Sequence, residues 1–495
     1  MITDENEQIE HRLEKLNRLR QQGADPFAVE RYDRTHPAGE ILSGFDQLEG
    51  KEVSATGRIV SLRPMGKAAF AHIQDPSGRI QVYIKSDAVG EEAYKLVHEL
   101  DIGDIIGVQG TVGKTRTEEV TVFVSSFRIL AKSLRPLPIG KQKGDQEWYG
   151  LHDVEQRYRR RYVDLIVNPE VRDVMMKRSR IIHATREFLD DAGFVEVETP
   201  VLQVVAGGAA AKPFTTYFNA LDHDFHLRIS LELYLKRLIV GGFEKVYEIG
   251  HVFRNEGLST RHNPEFTMME LYQAYTNLEG MMDLVEQLFC YVSRKLYGSL
   301  TFTYQGHTID LTPPWKRLPL LEGLRECAKV QPEEFETLET AKAAGERLGL
   351  STEGEHTIGG IVDKIHERFL QPSLIQPTFV TDFPIDISPL AKKDVDNPAL
   401  TRRFEPYIAA LECGNAFSEI NDPIDQRERF VQQGKMRAAG DEEAHPMDED
   451  FLRALEYGMP PTGGLGIGMD RVVMLFTDTP SIRDVILFPQ LKPEK

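Results

Sequence analysis

KVYEIGHVFRNEGLSTRHNPEFTMMELYQAY, residues 245–275, alternates apolar and polar side chains on either side of a polar loop. That pattern predicts two strands closed into an antiparallel hairpin. Successive side chains of a strand take opposite faces, so parity sorts them. Arg254 and Glu256 share a face of the first strand, and Phe266, Met268, Glu270 and Tyr272 share a face of the second, while Thr267, Met269 and Leu271 point the other way. Tyr247, Ile249 and Phe253, with Met269 and Leu271, suit a buried core. The even positions gather an arginine, two carboxylates and two aromatics on one surface, and the loop adds Arg261 and His262. A surface so equipped can hold a planar base, a phosphate and a small cation together.

A second hairpin is expected downstream, in RFEPYIAALECGNAFSEIND, residues 403–422. Glu405, Glu412 and Glu419 recur every seventh residue, which suggests a helix face, but Pro406 and the Gly414-Asn415 pair argue against a helix. A tight turn near Ala409-Ala410 puts Glu405 and Glu412 on one face of adjoining strands. Like charges so placed repel unless a cation sits between them. Mg²⁺ carrying nucleotide phosphates fits, because it prefers a few carboxylates plus phosphate oxygens.

Outward from the hairpins, the 495 residues exceed one ordinary core and predict two or more domains. A hydrophobic share of 41% and a charged share of 27% describe a globular chain, and no apolar run reaches membrane-helix length. The polar, acidic start MITDENEQIE predicts no signal peptide, and the three scattered cysteines Cys290, Cys327 and Cys413 fit a reducing cytoplasm better than a disulfide framework. The net charge of −18 is uneven: residues 1–150 hold 20 basic against 23 acidic side chains. RNA contact would therefore rest on local patches. Candidates are Arg12, Lys15, Arg18 and Arg20 on a first helix, and the run Arg157-Tyr158-Arg159-Arg160-Arg161.

Residues 6–22 carry Ile9, Leu13, Leu16 and Leu19 at helical spacing up to Gly23, within a lead-in over 1–48. A domain over 49–132 follows, with five short strands, VSATGRIV, AAFAHIQD, RIQVYIK, IIGVQGTV and VTVFVSSFRIL, which fit an OB-fold barrel. Ala69, Ala71 and Ile73, with Ile80, Val82 and Ile84, suit its core. Phe70, His72 and Gln74, with Gln81, Tyr83 and Lys85, face outward, an aromatic beside hydrogen-bonding groups, as single-stranded RNA readers require. A linker is expected over 133–150 and a larger domain over 151–495, with a helix over 169–192 and a helical insertion over about 319–371.

Phe253-Arg254-Asn255-Glu256, with Arg261-His262 and Phe266, resembles the second motif of class II aminoacyl-tRNA synthetases. Gly464-Leu465-Gly466-Ile467-Gly468-Met469-Asp470-Arg471 resembles their third, and Gly193-Phe194-Val195-Glu196-Val197-Glu198-Thr199-Pro200 their first. With HNPEFTMMELY and the ending SIRDVILFP, the chain is similar to bacterial-type lysyl-tRNA synthetases over nearly its whole length. The resemblance implies an α+β protein: an N-terminal OB-fold anticodon domain, then a catalytic domain built on an antiparallel sheet flanked by helices. It implies L-lysine, ATP and tRNA(Lys) as substrates, Mg²⁺ at Glu405 and Glu412, and a homodimer through the first motif.

The same resemblance assigns Arg254 and Arg471 to catalysis, and Glu256, His262, Phe266 and Gly468 to ATP with them, Phe266 and Arg471 sandwiching the adenine. Arginine suits an α-phosphate and a carboxylate because its planar fork bridges both and stays protonated. Glycines such as Gly466 and Gly468 let the backbone approach the nucleotide. Lysine would meet Glu232 and the Gly208 backbone at its α-ammonium, and Glu419 and Tyr272 at its ε-ammonium, with Glu270, Asn415 and Phe417 completing the wall. Phe70, Gln81 and Glu119 align with anticodon-reading positions, with His72 beside them. Leu231 departs from the proline many relatives carry before the pocket glutamate. An aspartate-type pocket would need a cation for the side-chain carboxylate, where this chain offers Glu232, Glu270 and Glu419. The barrel argues against protein-modifying relatives, which lack it, and the complete set of motif residues argues against a non-catalytic RNA-binding protein.

Overall fold

A computed structural model describes residues 2–139, 141–143, 146–148 and 151–494, with side chains over 5–139 and 151–494. The linker expected over 133–150 lies partly outside the described residues. The chain divides into two compact units, Met1–Arg157 with Tyr162–Val167, and Tyr158–Arg161 with Asn168–Lys495.

In the first unit, β1 (Glu52–Met65), β2 (Ala68–Asp75), β3 (Gly78–Lys85), β4 (Ile105–Lys114) and β5 (Val120–Ala131) close a barrel in the order β1-β2-β3-β5-β4. Ala69, Ala71, Ile73, Ile80, Val82 and Ile84 fill its interior, as strand parity predicts. Helix α1 (Ile2–Gln21) buries Arg12, Leu16 and Leu19 and leaves Leu13 exposed, a narrower face than the leucine spacing suggests. Its cations are taken within the unit. Arg12 donates to the Ser133 carbonyl (2.7 Å), and Lys15, Arg18 and Arg20 pair with Asp101, Glu99 and Asp25. The arginine run is likewise structural in part. Arg157 pairs with Asp164, and the buried Arg161 donates to the carbonyls of Leu487 and Arg483. Phosphate contact through these side chains would have to break existing bonds.

The second unit is built on a nine-stranded sheet. Its strands are β6 (Val195–Glu196), β7 (Lys245–Phe253), β8 (Glu265–Ala274), β9 (Lys316–Pro319), β10 (Thr378–Thr381), β11 (Arg403–Ile408), β12 (Leu411–Glu412), β13 (Gly414–Ser418) and β14 (Thr462–Gly468). The order is β9-β10-β11-β13-β14-β8-β7-β6, with β12 paired to β11; all neighbours are antiparallel except β6–β7 and β9–β10. Helices α2 (Pro169–Asp191), α4 (Leu278–Tyr297) and α5 (Met469–Thr477) cover one face, packing Ile181, Met281 and Val473 on Met269, Leu271, Leu465 and Ile467. On the other face, α3 (Glu232–Val240) packs Leu233, Leu235 and Ile239 against Val246, Val252 and Tyr272.

Strand β7 therefore departs from the simple in–out reading. Tyr247 is buried on one side, and Val246, Glu248 and Val252 on the other, because helices cover both faces. Arg254 and Glu256 lie beyond its last residue, Phe253, in the loop. The insertion carries helices Leu320–Ala328, Leu338–Arg347 and Ile358–Ile365 around its own core of Leu324, Ala341, Ile361 and Leu370. Cys290 and Cys413 are buried and all three cysteines are free. Among the described residues no helix is long and apolar enough to cross a membrane.

Candidate active site

The alternation of GLGIG sets the floor of the site. Leu465 and Ile467 drop into the helix-covered core, so Gly464, Gly466 and Gly468 face the other way. There they pair with Tyr272, Glu270 and Met268 of β8, and Gly464 and Gly466 with Phe417 and Asn415 of β13. Without side chains on that face of the strand, a cavity of about 510 Å³ opens above it. Arg254, Glu256, His262, Phe266, Glu270, Tyr272, Glu232, Gly208, Glu412, Asn415, Phe417, Glu419, Gly468 and Arg471 all line it. Glu405, on the strand beside Glu412, is buried and is not among the lining residues.

At one end Arg254 lies over the Phe266 ring (5.2 Å) and donates one long bond to the Ile229 carbonyl (3.4 Å). It forms no ion pair among the described residues, so its fork is unspent. Burial lowers its pKa, Glu256, Glu270 and Glu412 oppose that, and the group stays cationic. Arg471, in the first turn of α5, donates to the Glu412 carbonyl (2.9 Å), pairs with its carboxylate (3.1 Å) and comes within 3.5 Å of His262 Nε2. Burial and the neighbouring Arg471 push the His262 pKa down, which keeps the ring neutral. A Cβ at Gly468 would meet no protein atom closer than 3.9 Å, so that position is open to the cavity.

The carboxylate hairpin turns as expected. Ala409 and Ala410 both take positive φ (53° and 60°), and Tyr407 pairs with Glu412 across the strands, which places Glu405, Tyr407 and Glu412 on one face. Arg403 Nη2 and the Tyr407 hydroxyl donate to Glu405, each at 2.6 Å. Burial pushes the Glu405 carboxyl up and the Glu412 charge adds to the shift, despite Arg403. Burial also opposes ionisation of Glu412, but Arg471 holds it below its usual value. Asp363, from the insertion, is pushed up to about 7 by burial and then by Glu405. Two convergent carboxylates, Glu405 pushed up in part by the charge of Glu412, are a donor set suited to a divalent cation completed by phosphate oxygens. No set of three His, Cys, Asp or Glu side chains converges on a metal position among the described residues.

At the other end, Glu270 is spent within the protein. Its Oε1 accepts from the Ser230 hydroxyl (3.0 Å) and the Leu231 amide (2.9 Å) at the start of α3, and its Oε2 from the Tyr272 hydroxyl (3.1 Å). The Leu231 bond is one that a proline could not make. Burial still pushes Glu270 up to about 7. Glu419 is the opposite case. Burial pushes it up to about 8, and its Oε1 has no hydrogen-bond partner. Gly464 makes room for it, since a Cβ there would lie within contact of Glu419 Oε1 and 2.5 Å from the Tyr272 ring. Gly208 has φ +90°, and a Cβ would meet Ser230 Oγ at 2.6 Å. Sequence reasoning missed Ser230, Lys236 and Arg403 and gave Gly464 no part in the pocket; Ser230, Lys236 and Gly464 meet Glu270, Glu419 and Tyr272, which are distant in the chain.

The barrel carries a separate surface. Phe70 stacks on Tyr83 (4.6 Å) and Tyr83 meets Phe123 edge-on (5.8 Å), so Phe70 packs on a strand neighbour and not under α1. Glu119 binds His72 Nε2 (2.7 Å) and accepts from Gln81 Nε2 (2.6 Å), while Gln81 Oε1 accepts from Thr121 (2.8 Å). Glu118 turns away at φ 62° towards Lys114, so Glu119 is the glutamate on this face.

Residues 153–492 match the family model described as tRNA synthetases class II (D, K and N), and residues 53–130 match that of an OB-fold nucleic acid binding domain. Proteins named lysine–tRNA ligase are similar over nearly the whole chain. That of Thermoanaerobacter pseudethanolicus is 56% identical over 99% of this chain and 97% of its own. That of Carboxydothermus hydrogenoformans is 57% identical over 99% and 98%, and that of Bacillus subtilis 50% identical over 98% and 97%.

Proposed function

Since the chain belongs to the class II tRNA synthetases, and among them to the bacterial-type lysine–tRNA ligases, we propose a division of labour among its residues. The enzyme activates L-lysine with ATP to lysyl-adenylate and pyrophosphate, then transfers lysine to the 3′ end of tRNA. The lysine carboxylate is ionised at neutral pH, so its attack on the α-phosphorus needs no general base. The protein must align the reactants and neutralise charge as it grows. Arg254 does both, its free fork bridging carboxylate and α-phosphate. Phe266 and Arg471 hold the adenine, with Glu256 and His262 at the loop and Gly468 giving access. Glu405 and Glu412 would hold the divalent ion used with ATP, Mg²⁺ in this reading, which would offset phosphate charge. Arg403, Tyr407 and Arg471 keep those two carboxylates in place.

Lysine lies along the floor. Glu232 and the Gly208 backbone take the α-ammonium. Glu419 and the Tyr272 hydroxyl take the ε-ammonium, and Asn415 and Phe417 form the wall. The observation that carries this reading is the buried, unpartnered Oε1 of Glu419 at the end of the cavity away from Arg254. With Oε2 already on Lys236, a buried Oε1 without a donor is costly until an ammonium meets it. Glu270, with both oxygens engaged, positions Tyr272 and α3 rather than binding substrate directly. Amino-acid-dependent ATP–pyrophosphate exchange across the standard amino acids tests the assignment: lysine alone should support it, and exchange with another amino acid would refute it.

On the barrel, Phe70, with Tyr83, stacks anticodon bases of tRNA(Lys), while His72, Gln81 and Glu119 form the hydrogen-bonding edge beside them. The partner in solution is a second copy of the chain. Exposed apolar side chains lie in the first motif at Val195 and just after it at Val201, Leu202 and Val204, a segment suited to an isologous contact. Sedimentation showing only a 56.2 kDa species at assay concentration would count against the dimer.

A further inference from the structure

Lys236 has no part in the reaction as described, yet it lies against both substrate-binding carboxylates. It follows Glu232 by one turn of α3 and is fully buried, with 0% of its side chain exposed. Its ammonium is 2.5 Å from Glu232 Oε1 and touches Glu419 Oε2, with the Phe451 ring 5.8 Å away. The enzyme thus keeps an ammonium of its own between the carboxylates that receive the two ammonium groups of the substrate.

Charge counting shows what this achieves. With lysine bound and all three carboxyls ionised, Glu232, Glu270 and Glu419 bring three negative charges into one buried site, and Lys236 returns one positive charge. The remaining two match the two ammonium groups of lysine, which leaves the substrate carboxylate to Arg254. Without Lys236 the complex would carry one negative charge more than the substrate can neutralise, and burial would force a carboxyl to keep its proton even with lysine bound. We propose that Lys236 is a built-in counter-ion of the amino-acid pocket. It is a positioning and specificity-determining residue that sets the pocket charge and ties the α-ammonium carboxylate to the ε-ammonium carboxylate. The inference rests on the lysine-binding reading given above.

The surroundings agree. Burial pushes Glu419 up to about 8 and Glu270 to about 7 with Lys236 in place, and Lys236 is the largest influence holding Glu419 down. Burial lowers the pKa of Lys236, but Glu232 and Glu419 more than restore it, so it stays charged. The other titratable neighbours cannot replace it. Burial drives His445 down to about 4, which leaves it neutral, and Asp441 beside it adds no cation. Tyr272 is pushed well above its usual value and stays protonated.

The test is lysine affinity of the full-length protein, by calorimetry, at pH values below and above the Glu419 value of about 8. Ionised Glu419 binds the ammonium, so affinity is full above that value and falls as pH drops through it. In Lys236→Met the midpoint should move up by at least about one unit, so lysine binds about tenfold or more weakly at neutral pH and recovers at higher pH. ATP affinity should hold. A loss of the same size at every pH, or no loss, overturns the proposal. Lys236→Gln, which keeps a donor, repeats the comparison should the methionine variant fail to fold; failure of both to fold would make Lys236 a stability residue and also overturn it. Absence of lysine-dependent exchange in the unmodified enzyme would instead remove the underlying reading, which keeps the two failures apart.

Discussion

Gly464→Ala adds one methyl group at the narrowest point of the amino-acid pocket. Its Cβ would press on Glu419 Oε1 and lie 2.5 Å from the Tyr272 ring, closer than real Cβ contacts come. Both side chains are buried and cannot swing into solvent. Overpacking a filled site costs about 1–3 kcal/mol. Displacing the carboxylate also breaks its pairing with the ε-ammonium, and losing one partner of a buried pair costs about 3–5 kcal/mol. The two effects overlap, and the larger alone predicts a loss of about 10² or more in kcat/KM for lysine. The assay is ATP–pyrophosphate exchange with lysine varied at saturating ATP, then ATP varied at saturating lysine. The loss should fall on lysine and spare ATP. Gly468→Ala is the matched control, because its Cβ would meet open cavity and not protein, so its effect should fall on ATP. Near-native lysine kinetics in Gly464→Ala, or equal losses for both substrates, would refute the placement of Glu419 at the ε-ammonium.

Arg254→Lys keeps the charge and loses the fork, so exchange should fall about 10²–10³-fold by analogy with the loss of one oxyanion donor; exchange within a few-fold of the parent enzyme would remove Arg254 from the mechanism. Phe70→Ala should weaken tRNA charging, since stacking on one base contributes about 1–3 kcal/mol, and leave exchange unchanged; a parallel fall in both would make Phe70 structural. In the parent enzyme Glu419 is protonated below about pH 8, so the KM for lysine should fall as pH rises through neutrality, until the substrate ammonium groups titrate. A KM that is flat over that range would show that Glu419 carries no proton in the free enzyme.

Where local pattern and tertiary setting agreed, the sequence was sufficient. The five barrel strands follow from a two-residue period, and the Ala409-Ala410 turn from the helix breakers Pro406 and Gly414-Asn415 around it. Strand β7 was harder because helices bury both its faces, so parity no longer separates core from surface. Glu270 reads as a substrate ligand from its place on β8, and only the fold shows it accepting from the start of α3. Lys236 follows a helical rhythm beside Glu232, but its second partner, Glu419, comes from the end of β13 across the sheet. The basic side chains of α1 look like a phosphate-binding stripe until their acidic partners on the barrel are seen. Alternation and spacing record which side of an element a residue occupies; they do not record what the other side of the cavity brings to it.

The tip of the carboxylate hairpin ties the history of the insertion to the chemistry. Alanines with positive φ cost roughly 1–3 kcal/mol each and persist only where neighbours hold them. Here the amides of Ala409 and Ala410 donate to the carbonyls of Ile375 and Leu374, both at 2.8 Å, just beyond the helical insertion. The loop length is fixed by the same arrangement, because one residue more or less would turn Glu412 to the opposite face from Glu405. The insertion reaches the hairpin at other points as well: His366 Nε2 lies 2.7 Å from the Tyr407 hydroxyl, and Gln371 Nε2 donates to the Ala410 carbonyl at 3.1 Å. Changes confined to the earlier insertion helices should leave the hairpin alone, whereas a deletion running from His366 to Ile375 would release the turn and, with it, the paired glutamates.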